Sequence, residues 1–366
     1  MAILIFIAIL VGLIIIHELG HFGVAKFFKI RVDEFGVFFP PRLFAKRFGE
    51  TEYSFNALPL GGFVRIFGEN PTEGSSDPRS FAKKSRWAQA AVVLAGVVAN
   101  AALAWLLVSA GYMAGLPTSV EHQGIGTVTN ARPMIVGVIP ESPAALAGLV
   151  AGDVVQVLQT GTTLFDLRLL SIDRQAEAVR AFIGAHGEES IVFTVLRSGE
   201  EKTFLAKPAE GLIEGRKAVG VQLDDVGVLR LPPHLALVQG AILAKNIFVQ
   251  TATGLGGFFA QLVTGKANFA QVSGPIGIVT MGGLAVQEGF TAVLVLAASI
   301  SMALALFNLV PIPGLDGGRL LIIMIEGVLR RPVSPKLVLY TTLAGMALLL
   351  TLMVVVSYHD IVRLVG

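Results

Sequence analysis

His17-Glu18-Leu19-Gly20-His21 lies inside an apolar run that begins at Ala2 and continues to Ala25. On a helix, positions i and i+4 share a face, so His17 and His21 can present two imidazole nitrogens to one zinc ion while Glu18 stands beside it as a base for water. A lone histidine in a helix is usually packed or hydrogen bonded, and in a soluble helix the pattern would carry little weight. Its surroundings change the balance. Ionised side chains near a bilayer centre cost roughly 2.5 to 3.5 kcal/mol each on insertion scales, so clustered His, Glu and His call for a partner that offsets the penalty. The pattern therefore predicts a metal-dependent protease working within a membrane.

Composition points the same way. Of 366 residues, 54% are hydrophobic and 15% charged, with a mean hydropathy of +0.72, against about 25% charged in an ordinary soluble domain. A formal charge of +2 with scattered basic residues argues against nucleic acid as a partner. With no cysteine in the chain, disulfides and thiolate ligands are excluded, and histidine and carboxylate are left to hold a metal.

The first apolar run lacks a basic leading segment and is too long for a cleaved signal peptide, so it is expected to stay attached. Three more stretches are long enough to cross about 30 Å of hydrocarbon: Trp87 to Leu116, Phe290 to Val310, and Leu337 to Tyr358. Leu235 to Leu262 is also apolar but carries Lys245, Asn246, Gln250 and Gln261, and reads as an interfacial or protein-covered helix. Four spans put both termini on one side. Nine Lys/Arg residues between Ile30 and Arg86, and Arg330, Arg331 and Lys336 in the third connection, place those loops in the cytoplasm. The expected organisation is an N-terminal membrane half at 1–116, an extracytoplasmic segment at 117–233, and a C-terminal membrane half at 234–366.

The extracytoplasmic segment holds a compact α+β module at about 124–208. Val136-Gly137-Val138-Ile139 and Ile191-Val192-Phe193-Thr194-Val195 read as strands and Ala176 to Ile183 as a helix. The run from Ile139 to Asp153, with Pro140-Glu141-Ser142-Pro143 and Gly148, resembles the core signature of bacterial PDZ domains. By that resemblance, Gly124-Ile125-Gly126-Thr127 sits where such domains capture a peptide carboxylate with backbone N–H groups and add the peptide as a strand. An ordinary glycine-rich turn is an equal reading of those four residues.

A catalytic zinc usually has three protein ligands and one open position. The candidate for the third is Asp316, in Asn308-Leu309-Val310-Pro311-Ile312-Pro313-Gly314-Leu315-Asp316-Gly317-Gly318, where prolines and glycines interrupt the third span. An aspartate there can instead cap the following helix. The two histidines of the first span favour ligation.

With these residues assembled, the chain resembles the site-2 protease family of intramembrane zinc metalloproteases, in its bacterial regulator of sigma-E protease branch. The resemblance implies zinc ligands at His17, His21 and Asp316, and a base at Glu18. Through the element Asn308, Pro311 and Pro313 it also implies an amide near the active site; Asn308 is equally readable as an interhelical hydrogen-bonding residue. Phe35-Gly36 through Tyr53-Ser54-Phe55 to Gly61-Gly62-Phe63-Val64-Arg65 is similar to the family's membrane-dipping β-hairpin, and Ser273-Gly274-Pro275-Ile276-Gly277-Ile278 to another of its signatures. Val37, Phe38 and Phe39 break the alternation expected of a strand, whereas Tyr53, Phe55 and Phe63 favour one.

Two departures stand out. Gly96-Val97 precedes Asn100 where relatives often have Gly-Pro, and the segment has room for one PDZ-like module: about 25 residues from Glu210 to His234 cannot hold another core.

The expected fold is thus a polytopic α-helical membrane protein with a membrane-associated β-hairpin and an inserted PDZ-like domain, in the bacterial inner membrane. The resemblance implies cleavage of single-span membrane proteins after a first protease has shortened their external part. A catalytically silent membrane adaptor that binds peptide tails is the rival reading, opposed by the intact His17, Glu18, His21 and Asp316. A metal transporter would need more polar residues across several spans.

Overall fold

The computed structural model describes residues 2–69, 77–161, 163–169, 174–197, 199–213, 216–266, 269 and 274–365. They form two compact units, Met1–Ala110 with Gly240–Gly366, and Gly111–Gln239.

Helix α1, Ala2–Phe27, is 26 residues long, about 39 Å at 1.5 Å per residue. It ends where Lys29 takes a positive φ of 55°. Strands β1, Val32–Phe48, and β2, Thr51–Ile66, follow as an antiparallel pair turning at Gly49. Gly36 pairs with both Ser54 and Phe63, so β2 doubles back and flanks β1 on two edges. The broken alternation at residues 37–39 has a local cause. Phe38 adopts a φ of 68° amid register shifts between Val37, Phe39 and Arg42, so the strand bulges there. Phe22 of α1 meets Phe35 edge-on at 5.6 Å, tying hairpin to helix. Glu34, buried in the hairpin, is held by Arg42 at 2.9 Å and Arg65 at 2.8 Å.

Helix α2, Arg86–Ala114, crosses α1 at small residues. A side chain on Gly20 would run into the Ala95 carbonyl and the Ala99 methyl. In lipid, where apolar transfer provides little drive between helices, such close backbone packing supplies much of the association energy. Ile30, Val32, Phe81, Val92 and Val93 form the buried core around this crossing, with Ile323.

The unit Gly111–Gln239 contains β3 Leu116–Ser119, β4 Thr129–Val138, α3 Pro143–Ala147, β5 Val154–Thr160, β6 Thr163–Asp166 and α4 Gln175–Ala185. It continues with β7 Ile191–Arg197, β8 Glu200–Ala206, β9 Ala209–Ile213, β10 Arg216–Ala218 and β11 Val221–Leu229. Its main sheet runs β3-β11-β4-β5-β7-β8, with β6 on β5. Alternate residues Ile191, Phe193 and Val195 of β7 are buried with Ile135, Val155, Leu158 and the α4 residues Val179 and Phe182, the two-residue period of a half-covered strand. Strand β11, past residue 208, pairs with both β3 and β4, so the sheet draws strands from either side of the expected module. Ser142 caps α3 by accepting the Ala145 N–H at 3.2 Å, Pro143 opens the helix and Gly148 closes it at φ 90°. The fully buried Asp153 accepts two bonds from Arg197, at 2.6 and 2.7 Å, and one from the Val150 N–H at 3.0 Å.

The chain then forms α5 Pro233–Val263, α6 Pro275–Glu288, α7 Phe290–Leu309, α8 Asp316–Leu329 and α9 Pro335–Val365. Among the described residues five helices, α1, α2, α5, α7 and α9, are long and apolar enough to cross a membrane. The expected count of four meets a fifth candidate in α5. Its polar residues lower its hydropathy to 1.3, against 2.2 to 2.3 for the others, without interrupting the helix. Ala244 of α5 packs in one cluster with Ala104 and Val108 of α2 and Ala298 and Met302 of α7. Asp360 of α9 caps α6, accepting from Gly274 N at 3.2 Å and Gly277 N at 2.8 Å. Gly274-Pro275 thus opens α6, while Ser273 of the same signature lies outside the described residues.

Candidate metal centre

The helical spacing of His17 and His21 puts both rings on the buried side of α1, with their Nε2 atoms 3.2 Å apart. The third group arrives on α8. Helix α7 ends at Leu309, the prolines at 311 and 313 keep the chain extended, Gly314 turns it at φ 104°, and α8 starts at Asp316. Gly317 and Gly318 let α8 start directly against this loop, since side chains on them would strike the Leu309, Val310 and Ile312 carbonyls. Asp316 does not cap its helix: the N-cap residue is Leu315, with no side-chain bond. Its Oδ2 instead stands 3.1 Å from His17 Nε2 and 3.2 Å from His21 Nε2.

These donor atoms lie within 4.8 Å of one another. His21 Nδ1 is 2.8 Å from the Val92 carbonyl, which can only accept, so that nitrogen carries a hydrogen, and in the neutral ring His21 Nε2 turns a lone pair toward Asp316. The carboxylate oxygen facing it is buried without a hydrogen-bond partner among the described residues. Converging acceptor atoms repel unless a cation or proton sits among them. Two imidazole nitrogens and one carboxylate oxygen suit zinc, and the residues present fit that ion.

Helix α2 supplies the back wall. A side chain at Gly96 would come within 2.5 Å of His21 Nε2 and 2.7 Å of His17 Cε1, so the rings occupy the space a larger residue would fill. One turn on, the buried Asn100 has its Nδ2 3.5 Å from His17 Nδ1, and its main-chain carbonyl accepts from Ser301 Oγ at 2.8 Å.

The centre opens on a cavity of about 940 Å³ whose walls include Glu18, Asn308 and Arg319. Residues 61–64 of β2 line it as well. At Gly62 a side chain would sit 3.3 Å from Glu18 Cγ. His17, Glu18, His21, Asp316 and Asn308 therefore share one cavity. Gly124, Ile125 and Gly126 belong to the other unit, between β3 and β4, where the Ile125 N–H donates to Gln239 Oε1 at 2.8 Å. The contributions of Val92, Gly96 and Arg319 were not apparent from sequence alone. The signal for the α2 wall was the spacing of Val92, Gly96 and Asn100, which share one helical face.

A helical unit that buries a His-Glu-x-x-His helix against a lone aspartate has the make-up of a membrane metalloprotease. The chain belongs to peptidase family M50, the site-2 protease family, whose model matches residues 5–352. It is 36% identical to a protein of Nostoc sp. over 96% of this chain and 93% of the relative. Identity is 33% to one of Synechocystis sp., over 98% and 94%, and 31% to one of Clostridium perfringens, over 96% of each. All three bear the name "Putative zinc metalloprotease". This chain is a zinc metalloprotease with several membrane-spanning helices.

Proposed function

We propose that the protein hydrolyses peptide bonds within the transmembrane segments of single-span membrane proteins already shortened by another protease, as in the release of an anti-sigma factor. The observation that carries this reading is the convergence of His17, His21 and Asp316 on one cavity beside Glu18, with His17, Glu18 and His21 on α1, a helix apolar enough to cross a membrane.

In this reading His17, His21 and Asp316 hold the zinc. When bound, zinc supplies Lewis acidity, lowering the pKa of water and polarising a carbonyl. Glu18 accepts a proton from the attacking water and returns it to the leaving nitrogen. Asn308 contacts the substrate backbone from the cavity wall. Residues 61–64 offer strand pairing to a substrate segment that has lost its helical hydrogen bonds, the need that any unwound backbone has in lipid.

We also assign the chain to the bacterial inner membrane, with the termini and the unit Gly111–Gln239 extracytoplasmic. In this assignment α5 is interfacial and there are four crossings. The segment at about 124–208 acts as a PDZ-like module, with Gly124, Ile125 and Gly126 as its loop for a peptide carboxylate.

The test uses purified protein and a membrane-segment substrate with and without its external portion. Wild type is expected to cleave only the shortened form. Glu18→Gln should slow cleavage by about 10²- to 10⁴-fold while keeping zinc, and Asp316→Ala should release zinc. Equal cleavage by wild type and Glu18→Gln would remove Glu18 from the chemistry.

A further inference from the structure

We propose that Asn100 is a positioning residue for the metal centre: with its amide turned so that the oxygen meets His17 Nδ1, it holds the proton on that nitrogen and leaves His17 Nε2 free to bind zinc. The inference rests on His17 being a ligand.

The two histidines are served by one face of α2. Val92, Gly96 and Asn100 follow at i, i+4 and i+8, and the first and last reach the outward nitrogens of the two rings. For His21 the partner is the Val92 carbonyl at 2.8 Å, and a carbonyl allows only one tautomer. For His17 the partner is the Asn100 amide, and an amide presents either a donor or an acceptor depending on which way it is turned. As placed, Nδ2 faces His17 Nδ1 at 3.5 Å and Oδ1 is buried with no partner among the described residues. Because nothing pairs with the far atom, only the His17 side decides the orientation. With Nδ2 toward the ring, the bond would require an unprotonated Nδ1 and place the hydrogen on Nε2, pointing at Asp316 and His21 Nε2. That arrangement blocks the metal. With Oδ1 toward the ring, the amide accepts from Nδ1–H and both histidines offer lone pairs to the same point. The side chain is fully enclosed and its main chain is tied to Ser301 of α7, so the amide is held in place between two helices.

The expected size follows from what such outer partners do elsewhere: their loss usually weakens metal binding by about 10- to 100-fold. The experiment measures zinc competition against a chromogenic chelator in the full-length, detergent-solubilised protein. Asn100→Leu, which can neither donate nor accept, should weaken zinc binding by about 10- to 100-fold. Asn100→Asp, which can only accept, should restore it to the wild-type level or better. A purely structural role would not discriminate between acceptor and donor. Nitrogen-15 spectra of the wild-type zinc protein, labelled at histidine, read the tautomer without any substitution, and His17 Nδ1 should carry a proton. The inference is overturned if His17 Nδ1 is unprotonated, if Asn100→Leu binds zinc like wild type, or if Asn100→Asp loses zinc as fully as Asn100→Leu. His17→Ala separates this from failure of the ligand assignment. Retained zinc in His17→Ala refutes His17 as a ligand, whereas lost zinc there with normal binding in Asn100→Leu refutes only the role of Asn100.

Discussion

Replacing Gly96 by alanine adds a single methyl group, yet the site has no room for it. The new carbon would lie 2.5 Å from His21 Nε2 and 2.7 Å from both His17 Cε1 and His21 Cε1, against a comfortable separation of about 3.5 Å. About 1 Å of movement is needed. Neither ring can readily retreat, because His21 is bonded to the Val92 carbonyl and His17 adjoins Asn100, so α1 and α2 must separate or the rings must tilt away from Asp316. A misplacement of about 1 Å at a reacting centre reduces rate by about 10²-fold, equivalent to about 2.7 kcal/mol of barrier. Gly96→Ala should therefore cleave a membrane-segment substrate about a hundred times more slowly while keeping the helical content of the wild type. Gly12→Ala is the matched control. It also lies in a membrane helix, but nothing stands within 4 Å of its added carbon. There alanine should leave cleavage unchanged and favour the helix by up to about 1 kcal/mol. If Gly96→Ala cleaves within a few-fold of Gly12→Ala, the idea that this glycine makes room for the ligand rings is wrong.

Two further outcomes follow from the other features. Arg197→Ala leaves the buried Asp153 carboxylate, among the described residues, with one N–H donor, from Val150. Since the Arg197 side chain is a quarter exposed, stability of the unit Gly111–Gln239 should fall by about 2 to 4 kcal/mol, near the low end for a broken buried pair. Hydrogen exchange of the β5 and β7 amides measures this, and a change below about 1 kcal/mol would mean the pair contributes little. Because the chain has no cysteine, a single Val249→Cys midway along α5 can be probed with a water-soluble maleimide. Labelling from the extracytoplasmic side is expected for an interfacial helix, and protection from both sides would make α5 a fifth crossing.

What could be read in advance was whatever a residue's own spacing or chemistry reveals. His17 and His21 declare a shared face four residues apart. Asp316 stands out because a carboxylate beside broken backbone has few reasons to lie next to an apolar span. The presence of β7 and α4 follows from their two- and four-residue periods, whereas their ends run past the expected Ile191–Val195 and Ala176–Ile183 to Ile191–Arg197 and Gln175–Ala185. Features created by distant segments meeting were hidden. Gly96 looks like any small residue of an apolar helix, and only the arrival of two imidazoles explains it. The Val92 carbonyl is a main-chain group, invisible to side-chain patterns. Strand β11 finds its place between β3 and β4 through pairing across about 80 to 110 residues, which alternation alone does not encode. Helix α5 was ambiguous for another reason: polar residues such as Lys245, Asn246, Gln250 and Gln261, scattered along an otherwise apolar helix of 31 residues, suit either an interface or a crossing.

The three donor atoms come from residues 17, 21 and 316, so nearly the whole polypeptide separates the first two from the last. At about 5 to 20 residues per second, a ribosome needs roughly 15 to 60 s to travel from one to the other. Throughout that interval the newborn chain threads into lipid with two imidazoles and no carboxylate to meet them. With these three groups as the ligands, activity cannot precede the synthesis of α8, and a product that stops before that helix would lack the third of them.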